Sequence, residues 1–218
     1  MVVGVHSAVW RGLAPQLTLL GHAPRAIGHH DLPVFDFTGS DRVWVFSFSR
    51  VPAENVELLA HLGRAGVQEI VYVSSSSTIV GERTTCYKYP RVKRLAEQAA
   101  LAWPNARVLT IGLMHDRETE LPGGATIATT YLDLANFIAA PHWVDRTGER
   151  NTRLFRLVKR PLEHPVERAA HGLYGVLLRL SGPFPCVLRP LDLLLRAFGV
   201  RWYGYVYLSN RLWMSTIS

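Results

Sequence analysis

The stretch that decides the fold begins Val71-Tyr-Val-Ser-Ser-Ser-Ser-Thr-Ile-Val-Gly81 and, after seven residues, continues Tyr89-Pro-Arg-Val-Lys-Arg-Leu-Ala-Glu97. The apolar run Glu69-Ile-Val-Tyr-Val73 leads into it. Such a run, without polar alternation, is typical of a strand that is buried on both faces, as in a parallel sheet. The sequence therefore predicts a buried strand that ends in a run of serines.

A helix is predicted over Pro90–Trp103, with a proline in its first turn, where the missing N–H costs nothing. Tyr89 and Lys93 are four residues apart, so one helix face presents both side chains. A tyrosine ordinarily titrates near pH 10, and a neighbouring cation lowers the pKa of its hydroxyl. The pair therefore has the chemistry of an acid or base, and Tyr87 is a weaker candidate because Arg91, not a lysine, follows it four residues later.

Strand and helix patterns alternate over the first 140 residues. Further helices are predicted over Ala8–Leu20, Ala53–Ala65 and Leu132–Ala140. Further strands are predicted over Met1–Val5, Arg25–Ile27, Val34–Phe37, Arg42–Phe48 and Arg107–Leu113. This order favours parallel strands joined by right-handed crossovers, and so a doubly wound, Rossmann-like α/β sheet over residues 1–140.

All the excess positive charge lies in the last third of the 218-residue chain. Residues 1–145 hold 12 Lys/Arg and 13 Asp/Glu, a net charge of −1, whereas residues 146–218 hold 12 and 4, a net charge of +8. Two apolar helices are predicted here, over His164–Leu180 and Cys186–Phe198. We therefore expect residues 141–218 to form a basic, mainly helical C-terminal appendage.

Three interpretations of this appendage remain open. In one it lies on a membrane surface, with its arginines at lipid phosphates and Trp202, Tyr203, Tyr205, Tyr207 and Trp213 at the interface. In another it caps the substrate site and its arginines hold a pyrophosphate. A nucleic-acid surface is disfavoured because the leucines are too many and too clustered.

Cysteine content and hydropathy bound the location. Two cysteines, Cys86 and Cys186, exclude a disulfide-rich scaffold, and no Cys/His cluster indicates zinc. No signal peptide and no uncharged apolar stretch of spanning length is visible. We expect a cytoplasmic protein, with a peripheral position on the inner face of a membrane left open by the basic appendage.

The serine run, the glycine and the Tyr-x-x-x-Lys-x-x-Ala-Glu pattern together resemble the extended and atypical short-chain dehydrogenase/reductase superfamily, in particular its NAD-dependent epimerase/dehydratase branch. Gly21-His-Ala-Pro-Arg25 and Leu132-Asp-Leu-Ala135 are similar to segments of the same family. The resemblance covers about residues 1–140. It implies Tyr89 as acid/base, Lys93 as the group that lowers the tyrosine pKa and binds the nicotinamide ribose, and Ser76 as the holder of the reacting oxygen, with Ser75 as the alternative.

The resemblance also implies a bound NAD or NADP. Gly4-x-x-Ser7-x-x-Trp10 stands where the family has a glycine-rich phosphate turn, and Trp10 would crowd either the dinucleotide or the packing of the first helix. His29 could meet a 2′-phosphate, and Asp31 a ribose diol. The candidate cofactor-binding residues are Gly4, Ser7, Trp10, His29, Asp36, Phe37, Ser47 and Lys93.

The expected function is that of an NAD(P)-dependent sugar epimerase, dehydratase or ketoreductase, with a sugar nucleotide or a lipid-linked sugar as substrate, in membrane-linked polysaccharide or lipid biosynthesis. The segment after Lys93 is much shorter than the substrate-binding insert of the sugar epimerases, so the sugar-nucleotide pocket is in doubt. His115 and Asp116 begin the region where substrate contacts would start, or simply a polar loop. The alternative is a catalytically silent Rossmann relative that serves as a membrane-associated scaffold or binding protein.

Overall fold

The computed structural model describes residues 1–29, 31, 37, 40–116, 127–140, 188–198 and 204–217, together with residues 154–157 and the isolated positions 169, 172, 173 and 176. For residues 154–157 and 214–217 it describes the backbone alone.

Six parallel strands form the main sheet, in the order β2-β1-β3-β4-β5-β8. They are β1 (Val2–Val3), β2 (Ala26–Ile27), β3 (Arg42–Val45), β4 (Glu69–Ser75), β5 (Ala106–Ile111) and β8 (Leu154–Leu157). A second sheet pairs β6 (Leu113–His115) with β7 (Ala128–Thr130), also in parallel. Because β2 and β3 lie on opposite sides of β1, the chain reverses direction across the sheet at β1, which is where doubly wound proteins bind ligands.

Helices cover both faces of the sheet. One core contains α2 (Pro52–Arg64) and α4 (Lys88–Leu101), and the other contains α1 (Ala8–Leu19) and α5 (Tyr131–Ala139). Strand β4 contributes to both, since Ile70 and Tyr72 belong to the first core and Val71 and Val73 to the second. This double burial is the physical reason for its continuous apolar run.

The predicted elements of the first 140 residues are confirmed wherever the structure describes them, with shifted ends. The helix predicted to begin at Pro90 begins at Lys88, and the strand predicted over Arg42–Phe48 ends at Val45. The doubly wound parallel sheet is likewise confirmed. The strand predicted over Val34–Phe37 and most of the helix predicted over His164–Leu180 lie outside the described residues.

The last third of the chain does not stand apart from the sheet. Strand β8 extends it by pairing with β5. A third core joins α3 (Thr78–Arg83) to α6 (Leu188–Ala197) and α7 (Gly204–Ile217). The proposed boundary near residue 140 therefore divides one sheet.

The membrane interpretation of the terminal aromatics is corrected for those that the structure describes. Tyr207 and Trp213 are buried, and Tyr205 packs on other tyrosines, because helix α7 lies on α3 and not on a surrounding interface. Trp202 and Tyr203 lie outside the described residues. Within the described part of the chain, no helix combines the length and the apolar character needed to cross a membrane.

Candidate functional site

The turn after β1 is tightly packed against the end of β3. Gly4 has φ +110°, and a Cβ on it would come within 2.5 Å of the Ser47 backbone nitrogen. Only glycine fits this conformation and this spacing. Ser7 then begins α1 as its N-cap, and its Oγ accepts a hydrogen bond from the Trp10 N–H at 3.1 Å. The predicted turn thus leads from a strand into the N-terminus of a helix, which is the geometry that receives a pyrophosphate.

The indole of Trp10 does not lie in this turn. It is 7% exposed, belongs to the core between α1 and the sheet, and packs on the Phe46 ring at 6.1 Å between centroids. Trp10 is therefore no longer a candidate cofactor-binding residue, because its ring is buried between α1 and the sheet. Phe37 is corrected in the same way, since it is buried in the other core and meets His61 edge-on. Asp36 lies outside the described residues.

Polar groups that follow β2 and β3, the two neighbours of β1, meet at the edge of the sheet. His29 Nδ1 lies 3.1 Å from Ser47 Oγ, which brings two predicted cofactor residues together. Asp31 Oδ2 accepts a hydrogen bond from the Gly28 N–H at 2.8 Å. The arrangement places an imidazole and a carboxylate next to the Gly4 turn, where the ribose of a dinucleotide would lie.

Ser75 faces the predicted catalytic tyrosine from the end of β4. Burial raises the pKa of Tyr89, and the hydrogen bond from Ser75 opposes that rise. The Ser75 hydroxyl is also 3.0 Å from Ser77 Oγ. Ser76, which we expected in this role, instead uses its backbone: its N–H donates to the Ile111 carbonyl at 2.7 Å, and its carbonyl accepts from Trp213. Of the two serine candidates, Ser75 is the one whose side chain faces Tyr89.

Lys93 lies one helical turn after Tyr89 and is buried. Its ammonium donates to the Val73 carbonyl at 3.1 Å and lies 4.9 Å from the ring centres of Phe48 and Tyr72. Burial lowers its pKa to about 8, although the nearby Glu97 acts in the opposite direction. In this conformation the ammonium faces the end of β4 and two aromatic rings.

Three aromatic residues around Tyr89 escaped the prediction. Phe48 meets its ring edge-on at 5.1 Å, and Tyr205 lies against it at 5.7 Å. Trp213 anchors the serine turn from α7. Phe48 is the last residue of a predicted strand and could have been placed at the sheet edge. Tyr205 and Trp213 have no local signal, because they reach the site from the far end of the chain.

A buried histidine lies on the second sheet. His115 is 8% exposed, its Nε2 has no hydrogen-bond partner, and burial lowers its pKa while Asp116 acts to raise it. His115 is therefore a buried strand residue and not part of a polar loop, which was the alternative for this position. Residues 117–120, the rest of the expected substrate region, lie outside the described part.

Known structures share this architecture. A short-chain dehydrogenase/reductase superfamily protein from Agrobacterium tumefaciens with bound NAD superposes with a TM-score of 0.54 at 14% identity, covering 80% of this chain and 82% of its own. UDP-N-acetylglucosamine 4-epimerase from Bacillus cereus gives 0.51 at 12% identity over 80% and 84%. TunA, an NAD-dependent NDP-hexosamine 5,6-dehydratase involved in tunicamycin biosynthesis, gives 0.52 at 13% identity over 72% and 75%.

The chain has a Rossmann-type fold, which it shares with structures that include a short-chain dehydrogenase/reductase superfamily protein. No family model matches the sequence, and no curated protein does. The resemblance expected from residues 71–97 is thus confirmed as a likeness of fold. The three structures described above are only 12–14% identical to this chain in sequence.

Proposed function

We propose that the protein is an NAD(P)-dependent oxidoreductase that acts on a sugar nucleotide, with chemistry of the epimerase, dehydratase or ketoreductase type. The observation that carries the proposal is the side-chain interaction of Ser75 with Tyr89, on the helix that buries Lys93 one turn later. This group lies at the carboxyl edge of the sheet, at which doubly wound folds bind their ligands. The three structural relatives described above include one with bound NAD, one named as NAD-dependent and one named for a UDP-sugar.

The residues at the Gly4 turn fit a dinucleotide. The Gly4 backbone conformation and the N-terminus of α1 would hold the pyrophosphate, and His29 and Asp31 would contact the adenosine ribose or its 2′-phosphate. When bound, the nicotinamide would give or take a hydride. The Trp10 ring, which the sequence suggested could crowd the dinucleotide, is buried in the core.

The protein groups would handle the proton and the reacting oxygen. Tyr89 is 36% exposed, and its partial burial raises a pKa that already lies near 10 for an ordinary tyrosine. Its resting form at neutral pH is therefore a proton donor to a carbonyl oxygen. Ser75 would donate to the same oxygen and hold it in place. The Lys93 charge below would stabilise the phenolate that forms when Tyr89 gives up its proton.

Dinucleotide binding is the direct test. Titration with NAD(H) and NADP(H) should raise the melting temperature, and ligand at 100 times its Kd adds about 2.7 kcal/mol to the unfolding free energy. His29→Ala should weaken the NADP response more than the NAD response, because only NADP carries the 2′-phosphate. His22→Ala, an exposed histidine in the turn after α1, is the matched control. No response to either cofactor at millimolar concentration would refute the proposal.

Catalysis is tested separately with Tyr89→Phe. The variant should lose turnover by about 10²–10⁴-fold, as for a positioned acid/base, and keep its dinucleotide affinity. Tyr87→Phe, two residues earlier on the same segment, should retain turnover. Equal activity of Tyr89→Phe and the native protein would remove Tyr89 from the mechanism.

One observation favours the second candidate, a catalytically silent binding protein. The Lys93 ammonium is already bonded to Val73 and covered by Phe48 and Tyr72, so a ribose can reach it only if Phe48 moves. A protein that binds dinucleotide but shows no turnover with any sugar nucleotide, in native and Tyr89→Phe forms alike, would support this candidate.

We also propose a peripheral membrane position, which would suit a lipid-linked sugar and a role in polysaccharide or lipid biosynthesis. Helix α6 supports it: Leu193 and Leu194 are exposed there, and Phe198 follows, 79% exposed. The exposed Arg189 and Arg196 accompany them. Exposed leucines beside arginines are typical of helices that lie on anionic lipid.

A further inference from the structure

The serine turn between β4 and α3 is held from two sides at one residue. The Ser76 N–H donates to the Ile111 carbonyl of β5 at 2.7 Å. On the other side, the Trp213 Nε1–H of α7 donates to the Ser76 carbonyl, also at 2.7 Å. The second bond joins residues 137 positions apart in the chain and is buried, and Trp213 is only 5% exposed.

This bond is adjacent to the hydroxyl that meets Tyr89. The Ser75 Oγ bonds the tyrosine, accepts from the Ser77 N–H at 3.3 Å and lies 3.0 Å from Ser77 Oγ. The Thr78 hydroxyl donates to the Ser75 carbonyl at 2.9 Å. All of these groups belong to one tight turn, so a shift of the Ser76 peptide moves the Ser75 hydroxyl with it.

We propose that Trp213 is a positioning residue for the acid/base site: its indole N–H fixes the Ser76 peptide and thereby holds the Ser75 hydroxyl against Tyr89. Helix α7 also places the Tyr205 ring against Tyr89, so the C-terminal helix contacts Tyr89 directly and the peptide that follows Ser75. The proposal rests on the proposed function for its catalytic meaning. The geometry it describes can be measured without substrate or cofactor.

The readout is the titration of the Tyr89 hydroxyl. The groups that face Tyr89 are Ser75 and Tyr72 from β4, Lys93 from its own helix and Tyr205 from α7. The hydrogen bond from Ser75 favours the phenolate, so its loss should raise the tyrosine pKa. A typical hydrogen bond corresponds to a rise of about half a pH unit to one pH unit.

The experiment compares ultraviolet phenolate titrations of the full chain, with the Tyr89→Phe curve subtracted. Trp213→Phe keeps a ring but removes the donor, and should raise the Tyr89 pKa. Trp44→Phe is the matched control, because Trp44 is equally buried at 4% exposure but lies in β3, and it should lower stability without moving the titration. A Trp213→Phe titration that coincides with that of the native protein would overturn the proposal.

A double-mutant cycle separates positioning from a general loss of structure. In a Ser75→Ala background, Trp213→Phe should cause no further rise in the Tyr89 pKa, since the indole acts through Ser75. An equal rise in both backgrounds would contradict the proposal. If Trp213→Phe does not fold, benzothienylalanine at this position keeps the bicyclic shape and lacks the N–H, and it must give the same shift.

The outcome is independent of whether the protein uses a dinucleotide. A protein that binds no NAD(P) but shows the predicted shift would refute the proposed function and retain the positioning role of Trp213 in the turn. A protein that binds the dinucleotide normally but shows no shift of the Tyr89 pKa would retain the proposed function and refute the positioning role of Trp213. With both intact, Trp213→Phe should also move the falling limb of the kcat–pH profile to higher pH, because the active form of Tyr89 is the protonated one.

Discussion

Lys93 is the residue whose charge should couple most strongly to stability. Its ammonium is buried, and its pKa in the folded protein is about 8, against 10.5 for an ordinary lysine. Between these two values the unfolded chain binds more protons than the folded one, so the unfolding free energy rises with pH. Below pH 8 the folded state bears the full cost of the buried charge, on the order of 3 kcal/mol.

The comparison of Lys93→Met with the native protein tests this. The unfolding free energy of the native protein relative to the variant should increase from pH 8 to about 10.5 and stay constant below pH 7, measured by urea denaturation. Lys88→Met changes an exposed lysine on the same helix and should show no such pH dependence. A flat difference for Lys93→Met would mean that the ammonium is solvated.

Residue identities at the site could be predicted only as far as local pattern reaches. The spacing of Tyr89 and Lys93 requires one helix face, and the structure places both on α4. The choice between Ser75 and Ser76 depends on how the strand ends, and a run of four serines contains no information about that end. Beyond the last residue that pairs with β5, tertiary contacts decide which way each side chain points. Here those contacts are the hydrogen bonds of the Ser76 backbone to Ile111 and Trp213.

At the scale of elements, the contact between α1 and α5 depends on a single glycine. A Cβ on Gly12 would overlap the Tyr131 ring, so the two helices approach each other over this residue. Gly12→Ala should improve intrinsic helix stability by about 1 kcal/mol. Overpacking against Tyr131 costs about 1–3 kcal/mol, so the variant should be less stable overall.

A second substitution reverses the sign of that prediction. In a Tyr131→Ala background the ring is absent, and Gly12→Ala should then stabilise the protein by about 1 kcal/mol. Urea denaturation of the four proteins gives the coupling energy directly. Stabilisation by Gly12→Ala in the native background would show that the Tyr131 ring moves aside at no cost.

The elements themselves were predictable because each has a local cause. Strand β4 is apolar on both faces, and α2 begins with Pro52 and is followed by Gly66, whose φ of +72° ends it. The first-helix prediction was correct in extent but not in the role given to Trp10. A tryptophan at a turn position is equally compatible with a blocked site and a filled core, and only the packing of α1 on Phe46 decides.

At the scale of the whole molecule, local sequence patterns could not reveal the contacts made by the last third of the chain, residues 141–218. Pairing of β8 with β5, and of Trp213 with Ser76, joins segments far apart in the chain. The charge asymmetry was visible in the sequence, and it was consistent both with a cap on the site and with a membrane surface. In the structure α7 turns its aromatic residues inward, and α6 keeps its leucines outward.

The outward face of α6 leads to a prediction about membranes. Asp192, the acidic residue of this helix, is 5% exposed and accepts a hydrogen bond from the Gly204 N–H at 2.9 Å. Its charge is therefore turned inward, and Arg189 and Arg196 are left on the exposed surface with Leu193, which is 72% exposed. An arginine near anionic lipid contributes about 1 kcal/mol, whereas leucine burial does not depend on salt.

The full chain should therefore co-sediment with anionic vesicles more than with neutral ones, and high salt should release only part of it. Arg189→Gln with Arg196→Gln should weaken anionic binding by roughly tenfold or more. Leu193→Ser should reduce the salt-resistant fraction, and Leu132→Ser, an exposed leucine on α5, should not. If the native chain stays in the supernatant with both kinds of vesicle, α6 does not bind lipid, and its arginines become candidates for a phosphate-bearing substrate.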